Sequence, residues 1–350
     1  MSQAIAIRAV GMVSGLGRGA EANAGAMRLG YDCFQTTDYC VPASRTPLVG
    51  APFDPDCEAR GPSRLAGMLA PAMAEAMAGG QPSALPVVLL CLADDAGTAP
   101  DRIERLNAAL NATFSGPAAV HLGPQRHYLS RGPSGFADAL IQARRLLVER
   151  HCQAVLLGAV DSLLTAPCIA RYGGNGVGDG FRLLTAGTAD GFIPGEAAAA
   201  LLLTLPDAEA APQLLCTGIG FGQEPAPVES GEVTRADGLV AAIEQATAEA
   251  GIGAHETDFR ITAITGEQWF FTEDALALQR TFQRPKPAHD LWHPAEHVGH
   301  VGAAVGAVMV ANAFWATRKG YAPGPKILFT LSGDGPRRGA FVLDYRSEVC

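Results

Sequence analysis

The strongest constraint in this chain is the order in which short apolar runs and Ala-rich stretches follow one another. Apolar runs that predict strands lie at Ile5 to Val13, Leu85 to Leu92, Ala118 to Leu122, Val155 to Gly158 and Ala197 to Leu203. Between them, helical patterns run over Glu21 to Leu29, Ser63 to Ala78, Ile103 to Ala112 and Ser134 to Arg150. Such alternation is expected when helices cover the faces of a mostly parallel sheet. A short acidic linker, Pro206 to Pro212, is followed by a second series: strand Leu214 to Phe221, helix Arg235 to Ala250, strand Phe259 to Ile264, helices Asp274 to Phe282 and Val301 to Thr317, and strands Lys326 to Leu331 and Ala340 to Asp344. The second series broadly repeats the first, so the expected division is into halves 1–205 and 206–350. No repeat is visible in the residues themselves, and the duplication rests on element order.

Composition matters here mainly for what it excludes. With 26 Lys and Arg and a formal charge of -9, the chain offers no basic field for a phosphate backbone, so nucleic acid is not an expected partner. Its eight cysteines form no C-x-x-C pair and no dense framework, which favours a reducing compartment. The apolar start from Ala4 to Gly11 is interrupted by Arg8 and is too short for a membrane span. It predicts a first strand, and the expected location is the cytoplasm.

Four segments, in order, resemble the β-ketoacyl-ACP synthases. Val10-Gly11-Met12-Val13-Ser14-Gly15-Leu16-Gly17 is similar to the first strand and turn of that family. Ala143-Arg144-Arg145-Leu146-Leu147 with Ala154 to Ser162 resembles its nucleophile helix and following strand. Asp190-Gly191-Phe192-Ile193-Pro194-Gly195-Glu196-Ala197 is similar to its D-G-F-x-x-G-E-G-A loop, and Gly299-His300-Val301-Gly302-Ala303-Ala304-Val305-Gly306 to its G-H-x-x-G-A-A-G helix start. The resemblance implies an α/β thiolase-like fold of five layers, αβαβα, with two pseudo-repeated halves. It also implies a dimer joined through a central strand of each subunit, either a homodimer or a heterodimer with a ketosynthase-like protein. The chain is short for the family, with little between Leu29 and Pro62 or after Phe221 to cap an acyl pocket.

In that family a cysteine at a strand-to-helix turn takes an acyl chain as a thioester, and two histidines promote decarboxylation of a malonyl unit. The turn should precede the helix that starts near Gly132-Pro133-Ser134-Gly135, but no cysteine stands between Cys91 and Cys152. Ser134 is the nearby hydroxyl with a conceivable covalent role; otherwise it serves the free N–H groups of the helix start. By the resemblance, the first histidine falls at Thr265, beside Glu267, which could act as a base or simply be solvated. The second histidine matches His300, either a surviving oxyanion donor or a residue that packs its helix. The lysine expected five residues earlier is Ala295, and the closing glycine-rich loop is replaced by the charged run Ser332-Gly333-Asp334-Gly335-Pro336-Arg337-Arg338-Gly339. In comparable covalent enzymes, loss of the nucleophile alone costs about 10⁶-fold in rate.

Three other constellations carry weaker signals. His289, His293, His297 and His300 lie within twelve residues and could bind a metal, but Pro294 interrupts any common helix, and a loop anchored by Trp292 accounts for them equally well. Asp190 and Glu196 are expected to be structural. Trp269-Phe270-Phe271 either fills an acyl tunnel or forms an interface patch. The reading that follows is of a catalytically degenerate β-ketoacyl synthase-like scaffold without cofactor or metal. It would serve as the silent partner of a ketosynthase, or as a thiolase-like accessory of a bacterial secretion cluster. Its further partner would be an acyl carrier protein or a secreted client. The alternative is an active acyltransferase or decarboxylase that uses His300 with a non-cysteine nucleophile such as Ser134.

Overall fold

In the computed structural model, which describes residues 3–41, 45–94, 100–114, 125–174, 181–207 and 212–347, burial on both faces sets the central strands. The first half runs β1 (Ile5–Ser14), β2 (Gly17–Arg18), α1 (Ala20–Arg28), the hairpin β3 (Gln35–Cys40) and β4 (Pro47–Gly50), and α2 (Gly61–Gly80). It continues with β5 (Val87–Leu92), α3 (Pro100–Phe114), β6 (Arg126–Ser130), α4 (Gly135–Val148), β7 (Val155–Ser162), α5 (Ala166–Tyr172) and β8 (Glu196–Thr204). The second half runs β9 (Gln213–Gln223), α6 (Asp237–Ala250), β10 (Phe259–Thr262), α7 (Gln268–Thr281), β11 (Leu291–Trp292), α8 (Ala295–Val298), α9 (Val305–Arg318), β12 (Lys326–Leu331) and β13 (Arg337–Arg346).

The duplication expected from element order is present in the topology. The main strands lie in the order β6-β5-β7-β8-β1 in the first half and β11-β10-β12-β13-β9 in the second. Counted in chain order within its half, each set reads 3-2-4-5-1. In both, the first three positions are parallel and the last two antiparallel. The halves join where Ile5 to Ile7 of β1 pair antiparallel with Leu214 to Cys216 of β9.

Helix α4 touches β5, β6 and β7 of the first half and β9 and β13 of the second, so it lies between the two sets of strands. Helix α9 lies beside it against β1, β7 and β8. All of α9 except Trp315 and Arg318 is buried, as befits a helix that is apolar all round. Helices α2 and α3 cover the first set of strands from outside, and α6 and α7 cover the second. The result is the five-layered αβαβα frame. One close approach shows how sequence sets the layer spacing. A Cβ on Gly218, Gly220 or Gly222 of β9 would fall within about 2 Å of the carbonyls of Ala246, Ala242 and Gly238, respectively, so this glycine stripe lets α6 lie directly on the strand.

The differences from expectation have local causes. The strand expected at Ala118 to Leu122 lies outside the described residues, and β5 is flanked by β6 at Arg126–Ser130. That segment opens Arg-His-Tyr and shows no apolar run, yet β5 pairs it in parallel. Helix α7 begins at Gln268, six residues ahead of Asp274, and α9 begins at Val305 after a short 3-10 turn over Gly302–Ala304. The hairpin of β3 and β4 occupies the stretch after Leu29. No described helix is long and apolar enough to cross a membrane.

Candidate functional site

The two middle-layer helices start in the same way. Arg131 precedes Gly132 at φ +56°, a 3-10 turn covers Gly132–Ser134, and α4 follows for 14 residues. Val301 precedes Gly302 at φ +50°, a 3-10 turn covers Gly302–Ala304, and α9 also runs for 14 residues. The left-handed φ explains glycine at each start. The two turns touch, and beside them opens a cavity of about 450 Å³. Gly132 and Pro133 line it from one turn and His300 and Gly302 from the other, with Thr265, Cys168 and the Ser332–Gly335 loop closing the rest.

At the first turn a side chain fits only if Asp94 gives by a few tenths of an ångström. A Cβ on Gly132 would lie 3.1 Å from Asp94 Oδ2, a tight contact that places a carboxylate where a nucleophile would project. Ser134 is buried and does not line the cavity; its hydroxyl donates to the Arg131 carbonyl at 3.3 Å and makes no cap bond. Structure therefore brings Thr265 and His300 together on one wall and leaves Ser134 outside it. Cys91 and Cys216 are fully buried, and burial pushes both thiols up to about 12, which makes them poor nucleophiles. Cys168 is the exception: half-buried in the first turn of α5, it faces the same cavity as His300.

His300 is held by the glycine-rich loop that precedes β8. Its N–H donates to the Ile193 carbonyl at 2.7 Å, its carbonyl accepts from Gly195 N–H at 2.9 Å, and the Phe192 ring meets the imidazole edge-on at 5.0 Å. The Gly302 N–H donates to Nδ1 at 3.4 Å, so the neutral ring carries its proton on Nε2. Burial, opposed by Asp334 and assisted by Arg182, pushes the imidazole down to about 4. At neutral pH His300 is an uncharged donor, the form suited to an oxyanion.

Around that donor stands an ion network that sequence reading did not assemble. Arg182 binds Glu267 through two hydrogen bonds of 2.6 and 2.9 Å and pairs with Asp334 at 2.9 Å. Thr265 donates its hydroxyl to Glu267 at 2.7 Å, and Tyr172 donates to Asp334 at 2.7 Å. Thr265 is thus a ligand of a carboxylate, and Glu267 is held by a guanidinium. Burial alone would raise the Asp334 carboxyl, but Arg182 and the Tyr172 hydroxyl outweigh it and hold it below the ordinary range. Beneath the loop, fully buried Arg338 bonds Glu273 at 2.7 Å and the carbonyls of Gly333 and Gly335, while Ser332 donates to Glu273. Ala295 opens α8, so the family's lysine has no counterpart there.

The remaining candidates disperse. Asp190 accepts from the Gln268 N–H at 2.8 Å at the start of α7, and Glu196 is buried against Arg64 at 2.6 Å and the Ser162 hydroxyl. Of the aromatic cluster, Phe270 lines the central cavity, Trp269 packs on Phe270 at 5.0 Å, and Phe271 turns toward His293. His289 pairs with Thr257, His297 with the Tyr31 carbonyl, and His300 with the cavity. Among the described residues no three His, Cys, Asp or Glu side chains are placed to hold a metal.

Frame and paired helix starts are those of the thiolase-like ketosynthase fold. The ishigamide ketosynthase/chain length factor matches with a TM-score of 0.75 at 14% identity, over 99% of this chain and 100% of its own. A ketosynthase in complex with its chain length factor from Xenorhabdus doucetiae matches at 0.72 and 17% identity, over 98% of each chain. A β-ketoacyl synthase from Burkholderia phymatum matches at 0.73 and 14%, over 99% and 100%. No protein-family model matches the chain, and no curated protein matches it in sequence.

Proposed function

We propose that this protein is a catalytically silent ketosynthase-like subunit that pairs with an active ketosynthase, as a chain length factor does, its frame divided as 1–205 and 206–350. The observation that carries this reading is Gly132 with the Asp94 carboxylate against its missing side chain, in the turn that touches the His300 turn. A carboxylate there repels both a thiolate and a developing enolate. Losing the nucleophile corresponds to about 8 kcal/mol at the barrier, beyond what one neutral histidine supplies.

The partner's place is the outer edge of β6, the terminal strand of its half among the described residues. Arg126 and Tyr128 of β6 are tied back to Asn107 and Asn111 of α3, which leaves a short strand held ready to extend a sheet. An acyl carrier protein would then reach the active subunit of the pair, and this chain would shape the product cavity. Co-expression with a ketosynthase from the same genome is expected to give a 1:1 complex. Intact mass after incubation with octanoyl-CoA is expected to show no adduct on this chain.

One observation supports a second reading. Cys168 shares the cavity with His300, so transthioesterification would form a bond from Cys168 Sγ to the acyl carbon and break the carbon–sulfur bond to CoA, which leaves as the thiol with the proton. A stoichiometric adduct mapped to Cys168 or Ser134 overturns the silent-subunit reading. Capture of a secreted client in place of a ketosynthase overturns the assigned partner.

A further inference from the structure

A second cavity, about 330 Å³ and sharing no lining residue with the first, lies between α1, the Trp292 to His297 segment and α9. Its floor holds Asn312, a polar side chain in the middle of the buried helix α9. Asn312 is 8% exposed and has no hydrogen-bond partner among the described residues. Asn312 lines the cavity, so the two donors and two acceptor lone pairs of its amide are available there. His293 adds a second unmet group, since its Nδ1 is buried without a partner in the same wall.

The charges around these groups are also incomplete. His297 Nδ1 lies 2.9 Å from the Tyr31 carbonyl, which only accepts, so Nδ1 carries the proton of the neutral ring and Nε2 keeps a lone pair. Nε2 lies 3.4 Å from Glu296 Oε1, a contact that is an ion pair when the ring is protonated and sets acceptor against acceptor when it is neutral. Across the same cavity, the Arg28 guanidinium rests over the Tyr321 ring at 4.4 Å and has no carboxylate partner among the described residues. One site therefore holds a carboxylate beside an imidazole, a guanidinium with no carboxylate partner among the described residues, and an amide that lines the cavity without a hydrogen-bond partner among them.

We propose that this cavity binds a free α-amino acid. Its ammonium donates to Glu296 and His297 Nε2, its carboxylate meets Arg28, and the Asn312 amide reads its remaining polar groups. The volume stands at the small end of ligand sites, which run from about 300 to 1,000 Å³, and suits a compact zwitterion over an acyl chain or a nucleotide. Charge argues the same way, because the walls carry one acid and one guanidinium and a single-charged ligand would leave one of them opposed.

The test is thermal unfolding and calorimetric titration of the whole chain against each of the twenty L-amino acids at up to about 10 mM, with N-acetyl and C-amide forms of any that bind. Saturable stabilisation by one or a few amino acids is expected, growing with the logarithm of concentration. Blocking either the amino or the carboxyl group is expected to weaken binding about tenfold or more, as expected for loss of a charge-assisted bond. Glu296→Gln and Arg28→Met, both at exposed positions, should do the same without changing the fold; Asn312→Leu should abolish binding. The proposal is overturned if no amino acid shifts the unfolding curve, if the blocked forms bind as well as the free ones, or if the Glu296 and Arg28 variants bind unchanged. Stoichiometric zinc on the purified chain, lost in His293→Ala, would also overturn it by giving the site to a metal.

Discussion

The turn at Gly132 and the turn at Gly302 share a backbone and differ in what surrounds them. Each places a glycine at positive φ, a 3-10 turn and a 14-residue helix in the middle layer. At the second turn the neighbouring carboxylate is part of the construction: Asp161 Oδ2 accepts the Ala303 N–H at 2.8 Å, and a Cβ on Gly302 would fall 2.1 Å from that oxygen. At the first turn Asp94 stands at 3.1 Å, close enough to occupy the space of a side chain but not so close that it could not give. The second start is locked as a support for His300, and the first is packed less tightly. The same backbone turn is thus compatible with two different surroundings.

The comparison is broken most directly by filling both glycines. Gly302→Ala combines left-handed strain of about 1 kcal/mol with overpacking of about 3 kcal/mol, so a loss of about 4 kcal/mol is expected in urea unfolding. Gly132→Ala is expected to lose about 1 kcal/mol, mostly strain, because the Asp94 side chain can move aside. Equal losses at the two positions would show that the first turn is as fully packed as the second, and that its glycine reports structure and not a vacated site.

A pH series sharpens the same contrast through His300, which belongs to the second turn alone. Its folded value, about 4, lies below the ordinary 6.5, so between those values the unfolded chain binds the extra proton and stability rises with pH. The contribution is complete above pH 6.5 and is lost as pH falls toward 4, about 3 kcal/mol across the window. His289 is also pushed down to about 4, chiefly by burial, and contributes with the same sign. The useful measurement is therefore the difference between wild type and His300→Gln, whose stability should fall less steeply between pH 6.5 and 4. Parallel slopes would mean that His300 is protonated in the folded chain and is no neutral donor.

How much of this the sequence discloses depends on whether neighbours in space are neighbours in the chain. Both helix starts were readable, because Gly132-Pro133 and Gly302-Ala303 punctuate Ala-rich helices, and His300 was readable because its backbone partners lie in one compact motif. β6 was not: Arg126 and Tyr128 find their partners on α3, and the segment takes strand form from pairing with β5. Nor was the network at the cavity, since Arg182 meets Glu267 and Asp334 across long separations and each alone resembles an ordinary surface charge. The absence of a cysteine between Cys91 and Cys152 is a local fact that one chain can state. What stands in its place is a tertiary fact.

That tertiary fact gives the last and smallest test. Arg182 pairs closely with Glu267 and Asp334 and at 3.9 Å with Glu229, while 13% of its side chain is exposed, so Arg182→Met strips Glu267 of its guanidinium and leaves Asp334 to Arg171 in a partly dry wall. Breaking such a pair should cost about 2 kcal/mol, less than a fully buried pair because water reaches the cavity mouth. Its more specific consequence concerns the imidazole. Arg182 is one of the charges that keep His300 neutral, and Asp334, still paired with Arg171 at 3.5 Å, opposes it, so removing the guanidinium takes away a lowering charge and raises the His300 pKa. An NMR titration of the imidazole should therefore show a midpoint above the wild-type value of about 4. If the midpoint stays fixed while stability falls, the network braces the fold without tuning His300, and the neutral donor at the second turn is a product of burial alone.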